Sequence, residues 1–269
     1  MAGMHVALAV DSCPEALKIH AANHPDCKHL CVDLPSSKLP LPKGRIHIHA
    51  SPPCTTFSTL NRNAPKASQR KALELIRWSV RYAKAHATTW TLEQVGSPEV
   101  KKALIEEGCE EGVDFDIFYF EDFGLPQCRK RLIAGSPRII QALHSLEGRI
   151  PERGVSDVIR NCRGRYIRNC TVSTYKMKHG VRTLIPVTES HPSFARPISE
   201  PAYTVTGNSP LRWWSPGDET CSTFTPAEMA AVQGFPRDYR FHTLSRTAYL
   251  QIGNAVPPLI MWLIVRSLT

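Results

Sequence analysis

The sequence has no G-x-G pattern, although 15 of its 269 residues are glycine. Dinucleotide-binding loops and related cofactor loops need closely spaced glycines, because the backbone itself must approach a phosphate or a nucleoside. A glycine fingerprint of that kind is therefore absent from the sequence.

The sequence also lacks the marks of a secreted or membrane-bound protein. It contains no run of eighteen apolar residues, and residues 1–6 have neither the basic flank nor the apolar stretch of a secretion signal. The nine cysteines are odd in number and show no paired spacing, which favours reduced thiols. These absences predict an intracellular protein that makes no membrane contact.

Positive charge is in excess and unevenly distributed. The 33 Lys and Arg residues against 24 Asp and Glu give a net charge of +9, which favours a polyanionic partner such as nucleic acid. Residues 137–195 alone carry ten basic and four acidic residues. Within them, residues 160–168 interleave Arg with Tyr and Asn, a composition suited to phosphates and base edges.

Residues 6–134 alternate short apolar runs with helical patterns, which is typical of βαβ units that build a parallel sheet. The sequence therefore predicts an α/β fold, with strands at 6–10, 29–32, 46–50, 88–92, 115–120 and 131–134. Helices are predicted at 14–23, from about 69, from 98, at 226–233 and at 258–268. The regular alternation stops from 137 to about 195, which predicts a second lobe there.

Reactive side chains lie next to three of the predicted strands. Cys54 follows the third strand and Glu93 follows the fourth, whereas Arg129 and Arg131 lie beside the last. Ligands of an open parallel sheet bind in loops at the carboxyl ends of strands, so these groups are the first candidates for chemistry. Together they suit addition to an electron-poor ring. A thiolate attacks a ring carbon, a carboxyl group donates to a ring nitrogen, and a guanidinium holds a carbonyl oxygen.

The order of these segments resembles the DNA cytosine-5 methyltransferase family. Residues 51–58, S-P-P-C-T-T-F-S, resemble its nucleophile loop, with Thr55 where Gln is usual. Residues 92–95, L-E-Q-V, resemble its E-N-V segment, with Gln94 for Asn. Residues 123–131, F-G-L-P-Q-C-R-K-R, match its Y-G-V-P-Q-x-R-x-R segment. Later segments of the family are matched by residues 196–197, 201–205, 224–236 and 251–258.

The resemblance implies a Rossmann-like methyltransferase sheet and a mechanism. Cys54 would attack C6 of a cytosine flipped out of the stack, and a one-carbon group would be added at C5. Glu93 would protonate or hydrogen-bond N3, Arg131 would hold O2, and Arg129 would help to keep Cys54 ionised. The implied domains are a catalytic α/β domain at 1–136, a small basic target-recognition lobe at 137–195, and a closing segment at 196–269 that packs back on the first.

The resemblance also implies DNA as the partner and S-adenosylmethionine as the methyl donor. The residues expected to bind the donor are Asp11, Ser12, Asp33, Leu34, Pro53, Asn254 and Ala255. Those expected to contact the target are Ser58, Arg62, Arg70, Gln127, Arg163, Arg165 and Thr204. A DNA partner places the protein in the cytoplasm or at the nucleoid.

The sequence departs from the family at its start. Members begin with a strand, an F-x-G-x-G loop that wraps the methionine part of the donor, and a helix, and this first strand and helix are missing here. A second polypeptide could supply that element, the site could use a different one-carbon donor, or the protein could bind nucleic acid without turnover. A tRNA cytosine target also stays open, because the Arg-rich lobe suits RNA as well as DNA.

Histidine and cysteine cluster along one short stretch of the sequence. His20, His24, Cys27, His29 and Cys31 fall around a predicted helix and strand. Their spacing fits no common zinc motif, so the sequence predicts no metal site.

Overall fold

The computed structural model describes residues 4–35, 39–54, 56–57, 65–159, 165–167, 183–185, 196–208, 210–214 and 221–268. Ser58, Arg62 and Arg163, three of the predicted target contacts, lie outside these ranges. The chain forms two compact units. The first comprises Met1–Tyr119, Lys130–Glu147 and Met261–Thr269, and the second comprises Phe120–Arg129 and Gly148–Ile260.

The first unit contains two separate sheets. One is a parallel pair formed by β1 (Leu8–Asp11) and β2 (Lys28–Cys31). The other has the order β3-β4-β6-β5, formed by β3 (His47–Ala50), β4 (Thr89–Gln94), β5 (Phe115–Tyr119) and β6 (Lys130–Gly135). Its helices are α1 (Pro14–Asn23), α2 (Lys66–His86), α3 (Pro98–Glu106) and α4 (Pro137–Leu146).

The four-stranded sheet is mixed rather than wholly parallel. Strands β3 and β4 are parallel, as predicted, but β6 is antiparallel to both β4 and β5. Only ten residues separate Tyr119 from Lys130, whereas a parallel crossover needs a dozen or more. The α/β class predicted from the sequence is confirmed, whereas the parallel direction expected of its strands does not hold for β6.

Helix α2 follows the apolar periodicity of its sequence. Ala72, Ile76, Val80 and Ala83 recur on one face and are buried, and fully burying a side chain such as Ile contributes about 1.5–3 kcal/mol. The helix begins at Lys66 rather than near residue 69, because its polar first turn has no apolar periodicity to detect. This face packs in a core with β4, β5 and β6 that includes Leu92, Phe115 and Leu132.

Helix α4 was not predicted, because the basic excess of residues 137–195 concealed its pattern. Pro137 occupies the first turn, and Ile139, Ile140 and Leu143 are buried on one face. The helix belongs to the first unit. The interpretation that regular structure stops at residue 137 was therefore wrong for this stretch.

The second unit contains an antiparallel sheet with the order β7-β11-β10-β8-β9. Its strands are β7 (Arg165–Ile167), β8 (Thr183–Ile185), β9 (Arg196–Pro197), β10 (Arg212–Trp214) and β11 (Cys221–Thr223). Helix α5 (Pro226–Val232) starts at a capping box between Thr225 and Glu228. It packs with α6 (Ser245–Asn254) in a core around Phe224, Met229 and Ile252.

The last helix of the chain is α7 (Pro258–Arg266). The stretch Ser245–Arg266, which includes α6 and α7, is long and apolar enough to cross a membrane, but 39% of its apolar segment is buried in the protein. Core helices of soluble proteins can have the same length and apolar composition, so this stretch is weak evidence for a membrane contact.

Candidate active site

The end of β4 brings together two of the predicted catalytic side chains. Glu93 is 6% exposed, and its Oε1 lies 3.0 Å from Nε of Arg131 on the adjacent strand β6. The strand continues two residues beyond its predicted end at 92, so that Glu93 is part of the sheet and its position is fixed by pairing opposite Ile133. A carboxyl group and a guanidinium therefore share one small buried site.

The loop of Cys54 is tied to the same strand end by Gln94. The Gln94 side chain donates from Nε2 to the Pro52 carbonyl at 2.9 Å and accepts from the Val95 N–H at 2.8 Å. Pro52 is buried and Cys54 is half-buried, with the Cys54 carbonyl accepting from the Phe57 N–H at 3.0 Å. The amide that replaces the usual Asn thus anchors the loop two residues before the thiol.

Two histidines on the neighbouring strand β3 contact polar side chains of β4 that precede Glu93. His47 contacts the hydroxyls of Thr89 and Thr91, and His49 contacts Thr91 at 2.9 Å. Because side chains alternate along a strand, Thr89, Thr91 and Glu93 project from the same side of β4. We refer to His47, His49, Thr89, Thr91 and Glu93 as the polar face. The alternating H-x-H and T-x-T-x-E patterns at residues 47–49 and 89–93 are its signal in the sequence.

Burial keeps both histidines of the polar face neutral. Desolvation lowers the pKa of His47 to about 4. Desolvation, with a smaller contribution from the nearby His47, lowers the pKa of His49 to about 3. Neutral imidazoles can each donate and accept one hydrogen bond, which suits the threonine hydroxyls that they contact.

The predicted donor-binding acids lie at the carboxyl ends of β1 and β2. Asp11 is the exposed last residue of β1, and its Oδ1 accepts from the Cys13 N–H at 2.8 Å. Asp33 is also exposed and follows β2 by two residues. Exposed carboxylates there fit the ribose hydroxyls and the adenine amine of an adenosine group. Ser12 is exposed beside Asp11, Leu34 is half-buried and Pro53 is exposed.

The methionine part of such a donor has no matching loop in the described residues. In that part of the chain β1 pairs with β2 and β3 pairs with β4, and no pairing joins β1 to β3. The residues predicted to bind the donor in the first unit therefore lie at two sheets that no described strand joins.

In the second unit, Arg129 holds segments that are distant in sequence. It is 2% exposed, and its guanidinium donates to the carbonyls of Val205 at 3.1 Å, Gly253 at 3.4 Å and Ala255 at 3.5 Å. Asn254, between the last two, is exposed. Arg129 thus joins three of the segments that carry the family resemblance.

Gln127 and Thr204 reinforce this junction. The fully buried Gln127 donates to Gln233 Oε1 at 2.6 Å and accepts from the Val205 N–H at 2.9 Å. The hydroxyl of Thr204 donates to the Cys128 carbonyl at 2.6 Å. These bonds hold the segment 127–129 against 202–205.

The structure says less about the other residues that were predicted to contact the target. Arg70 is exposed on the first turns of α2. Arg165 lies in β7, paired opposite Thr223, and only its backbone is described. Their roles towards a target stay predictions.

Residues 142–269 match a family model described as C-5 cytosine-specific DNA methylase. The Type II methyltransferase M.NgoFVII of Neisseria gonorrhoeae is 24% identical over 182 residues, covering 56% of this chain and 48% of the relative. M.Bpa9945I of Bacillus paralicheniformis, also named a Type II methyltransferase, is 44% identical over 52 residues, 19% of this chain and 12% of the relative. The chain thus spans less than half the length of either relative.

Solved structures of methyltransferases share the fold. A putative DNA modification methyltransferase encoded within an E. coli prophage has a TM-score of 0.65 at 18% identity, covering 99% of this chain and 92% of that one. S. pombe Dnmt2 has a TM-score of 0.59 at 16% identity, covering 97% and 89%. The chain therefore has the mixed α/β methyltransferase fold, and its resemblance to the cytosine-5 methyltransferase family is confirmed.

Proposed function

We propose that this protein is a DNA cytosine-5 methyltransferase that attacks a flipped cytosine through Cys54. The observation that carries the proposal is the Glu93–Arg131 pair, with 3.0 Å between Oε1 and Nε, at the strand end to which Gln94 anchors the Cys54 loop. The family match and the named relatives support the same reaction. An enzyme that modifies DNA works where DNA is, so we expect it inside the cell, in the cytoplasm or at the nucleoid.

Each of three side chains has one role in the proposed reaction. C5 of cytosine is weakly nucleophilic until Sγ of Cys54 bonds to C6 and moves electron density towards C5. Glu93 gives a proton or a hydrogen bond to N3 as this nitrogen gains charge, and Arg131 holds O2. S-adenosylmethionine supplies the electrophilic methyl group when bound. Loss of the C5 proton to solvent then breaks the C6–Sγ bond, so that the thiolate of Cys54 leaves and the aromatic ring is restored.

The proposed reaction needs a base that has left the duplex, because C6 is inaccessible inside the stack. Basic and polar side chains around the target would stabilise the flipped nucleotide and the phosphates beside it. The residues proposed for this task are Ser58, Arg62, Arg70, Arg163, Arg165 and Thr204. Gln127, also predicted as a target contact, is fully buried and bonded to Gln233 and Val205, so it is proposed to position the segment 127–129 instead.

Arg129 acts in this proposal as a positioning residue. Its guanidinium donates to the carbonyls of Val205, Gly253 and Ala255, so its first effect is to fix the closing segment. Asn254 and Ala255 in that segment are proposed to contact the donor, as are Asp11, Ser12, Asp33, Leu34 and Pro53. An effect of Arg129 on the ionisation of Cys54 is part of the proposal.

A second polypeptide is proposed to complete the donor site. A strand inserted between β1 and β3 would join the two sheets of the first unit, and a glycine loop at its end would reach the methionine part of the donor. The proposal is supported by the pairing pattern, in which β1 and β3 each have only one partner strand in the described residues. A different one-carbon donor is the alternative that keeps the Cys54 chemistry without a partner.

Base attack can be tested separately from methyl transfer. The protein is mixed with duplexes of random sequence that contain 2-pyrimidinone, whose C6 reacts with a thiolate without prior methylation. We expect a covalent adduct that resists denaturation and is absent from Cys54→Ala. Cys31→Ser, which removes an exposed thiol, serves as the matched control and should form the adduct.

The outcomes of this trapping experiment separate the alternatives. No adduct with DNA but an adduct with tRNA that carries the same base would move the target to RNA. Duplex binding that is equal for wild type and Cys54→Ala, with no adduct on 2-pyrimidinone in DNA or tRNA, would make the protein a non-catalytic binding protein and overturn the proposal.

Donor binding is tested by calorimetry of the purified chain with S-adenosylmethionine. We expect no measurable heat from the chain alone, because only the adenosine part has matching residues. Tight binding by the chain alone that is lost in Asp11→Ala would remove the need for a second polypeptide, while leaving the base-attack chemistry intact.

A further inference from the structure

Three side chains with metal-binding atoms converge where α1 ends and β2 begins. The ligand atoms of His20, Cys27 and His29 all lie within 4.8 Å of one another. Nδ1 of His20 is 2.8 Å from Nε2 of His29, and Cys27 is one of the few buried residues of this region. We propose that these three residues bind a zinc ion, at a site separate from the base-attacking residues.

The chemistry of the cluster matches zinc. Imidazole nitrogens and a thiolate are the donors that zinc prefers, and three protein ligands are enough when a fourth position is filled from elsewhere. Ligand atoms around a tetrahedral zinc lie about 3.3–3.8 Å apart, given bonds of about 2.0–2.3 Å. The observed cluster, whose ligand atoms lie within 4.8 Å of one another, reaches this spacing if the two histidine rings separate by about 0.5 Å and the thiol of Cys27 approaches them by up to about 1.3 Å.

The fourth position has a nearby candidate. His24 follows His20 by one helical turn at the C-terminal end of α1, and the centroids of the two rings are 4.4 Å apart. Either His24 or a water molecule completes the tetrahedron. The sequence H-x3-H-x2-C-x-H escaped prediction because its ligands alternate between a helix, a turn and a strand instead of forming one of the common pairs.

The region around the cluster has little apolar core of its own. Among residues 4–35, only Leu17 and Cys27 are buried hydrophobic residues. Small units with so little apolar burial commonly depend on a metal or another cross-link. A zinc ion would tie α1 to β2 and thereby stabilise the β1–α1–β2 unit.

The proposed zinc site is separated along the chain from Asp33, which is predicted to bind the donor. His29 is the second residue of β2, whereas Asp33 follows the carboxyl end of the strand. The zinc is therefore structural: it orients the strands whose ends carry Asp11 and Asp33. On binding, the Cys27 S–H bond breaks, a Zn–S bond forms and the proton passes to solvent.

The first test measures zinc in the full-length chain, purified without a polyhistidine tag, incubated with Zn²⁺ and freed of excess metal. Elemental analysis should give one zinc per chain in the wild type and in two controls, Cys31→Ser and His86→Gln, which alter an exposed cysteine and an exposed histidine. Cys27→Ala and His29→Gln should contain none. Zinc contents in these two variants equal to that of the wild type would overturn the proposal.

A second measurement uses the wild type alone, so that it does not depend on whether the variants fold. Cobalt(II) replaces zinc as a spectroscopic probe. A tetrahedral spectrum with a thiolate-to-cobalt charge-transfer band supports the site, and Zn²⁺ should displace it at one equivalent. A weak octahedral spectrum without that band would refute it, whatever the variants do. Neither readout requires DNA or S-adenosylmethionine, so failure here leaves the proposed enzymatic function standing.

Discussion

At the scale of single residues, Gln94 has the most direct control over the proposed nucleophile. Its Nε2 donates to the Pro52 carbonyl at 2.9 Å, and both Gln94 and Pro52 are buried. Through this bond and the one that it accepts from the Val95 N–H, the side chain fixes the backbone of the loop. Its contribution to the reaction is therefore geometric.

We predict that Gln94→Ala slows adduct formation on the 2-pyrimidinone duplex. A misplacement of about 1 Å can cost about 100-fold in rate, so the rate constant should fall by about that factor while the Kd for the duplex stays close to that of the wild type. Gln94→Asn should recover part of the rate, because a shorter amide can still donate to the loop. An unchanged rate, or a loss of binding equal to the loss of rate, would contradict the positioning role.

Residue-level prediction from the sequence succeeded where chemistry and strand position coincide. Glu93 and Arg131 could be expected at one sheet edge because each lies beside a predicted strand, and their Oε1 and Nε atoms lie 3.0 Å apart in the structure, while their catalytic roles stay predictions. His20, Cys27 and His29 could not, because their proximity depends on how a helix packs against a strand. Gln127 was predicted as a target contact, and its burial among Val205 and Gln233 depends on contacts far apart in sequence.

At the scale of elements, the polar face makes β3 and β4 sensitive to pH. His47 and His49 have folded-state pKa values of about 4 and about 3, against about 6.5 in an unfolded chain. Between those values the unfolded chain binds more protons, so the free energy of unfolding falls as the pH falls below about 6.5.

We expect urea denaturation to reveal this loss of stability between pH 7.5 and pH 5. Each histidine can contribute up to about 1.4 kcal/mol per pH unit in that window. His49→Val should reduce the slope, whereas His86→Gln, on the exposed end of α2, should leave it unchanged. A free energy of unfolding that is flat from pH 7.5 to 5 would show that the two rings are not buried as neutral groups.

The elements were predicted where periodicity is strong and missed where charge or topology intervenes. The apolar face of α2 was found residue by residue, since Ile76 and Val80 recur at helical spacing. Helix α4 was not predicted, because the excess of basic residues in 137–195 concealed its apolar periodicity. The direction of β6 was missed because a short connection of residues 120–129, rather than any property of the strand, makes it antiparallel.

At the scale of the whole molecule, the net charge of +9 should make the affinity for a polyanion such as DNA depend on salt. Neutralising phosphates releases counterions, so binding to duplex DNA should weaken steeply as salt increases, by about one unit of slope in a log–log plot for each phosphate contact. The prediction follows from the ten basic residues among positions 137–195 and not from the reacting groups.

Fluorescence anisotropy over a range of salt concentrations would measure this slope. We expect Arg163→Ala and Arg165→Ala each to reduce its magnitude by about one unit if they contact phosphates. Cys54→Ala should leave the slope unchanged, because a thiol carries no phosphate-neutralising charge. A salt-independent affinity would exclude the basic lobe as the main DNA-binding surface.

The division of the first unit into two sheets also bears on how the chain behaves in solution. Unpaired strand edges present rows of backbone donors and acceptors, which pair readily with any other strand available. The described residues provide no strand between β1 and β3, so another copy of the same chain is available to pair there. The isolated protein is therefore expected to self-associate with increasing concentration.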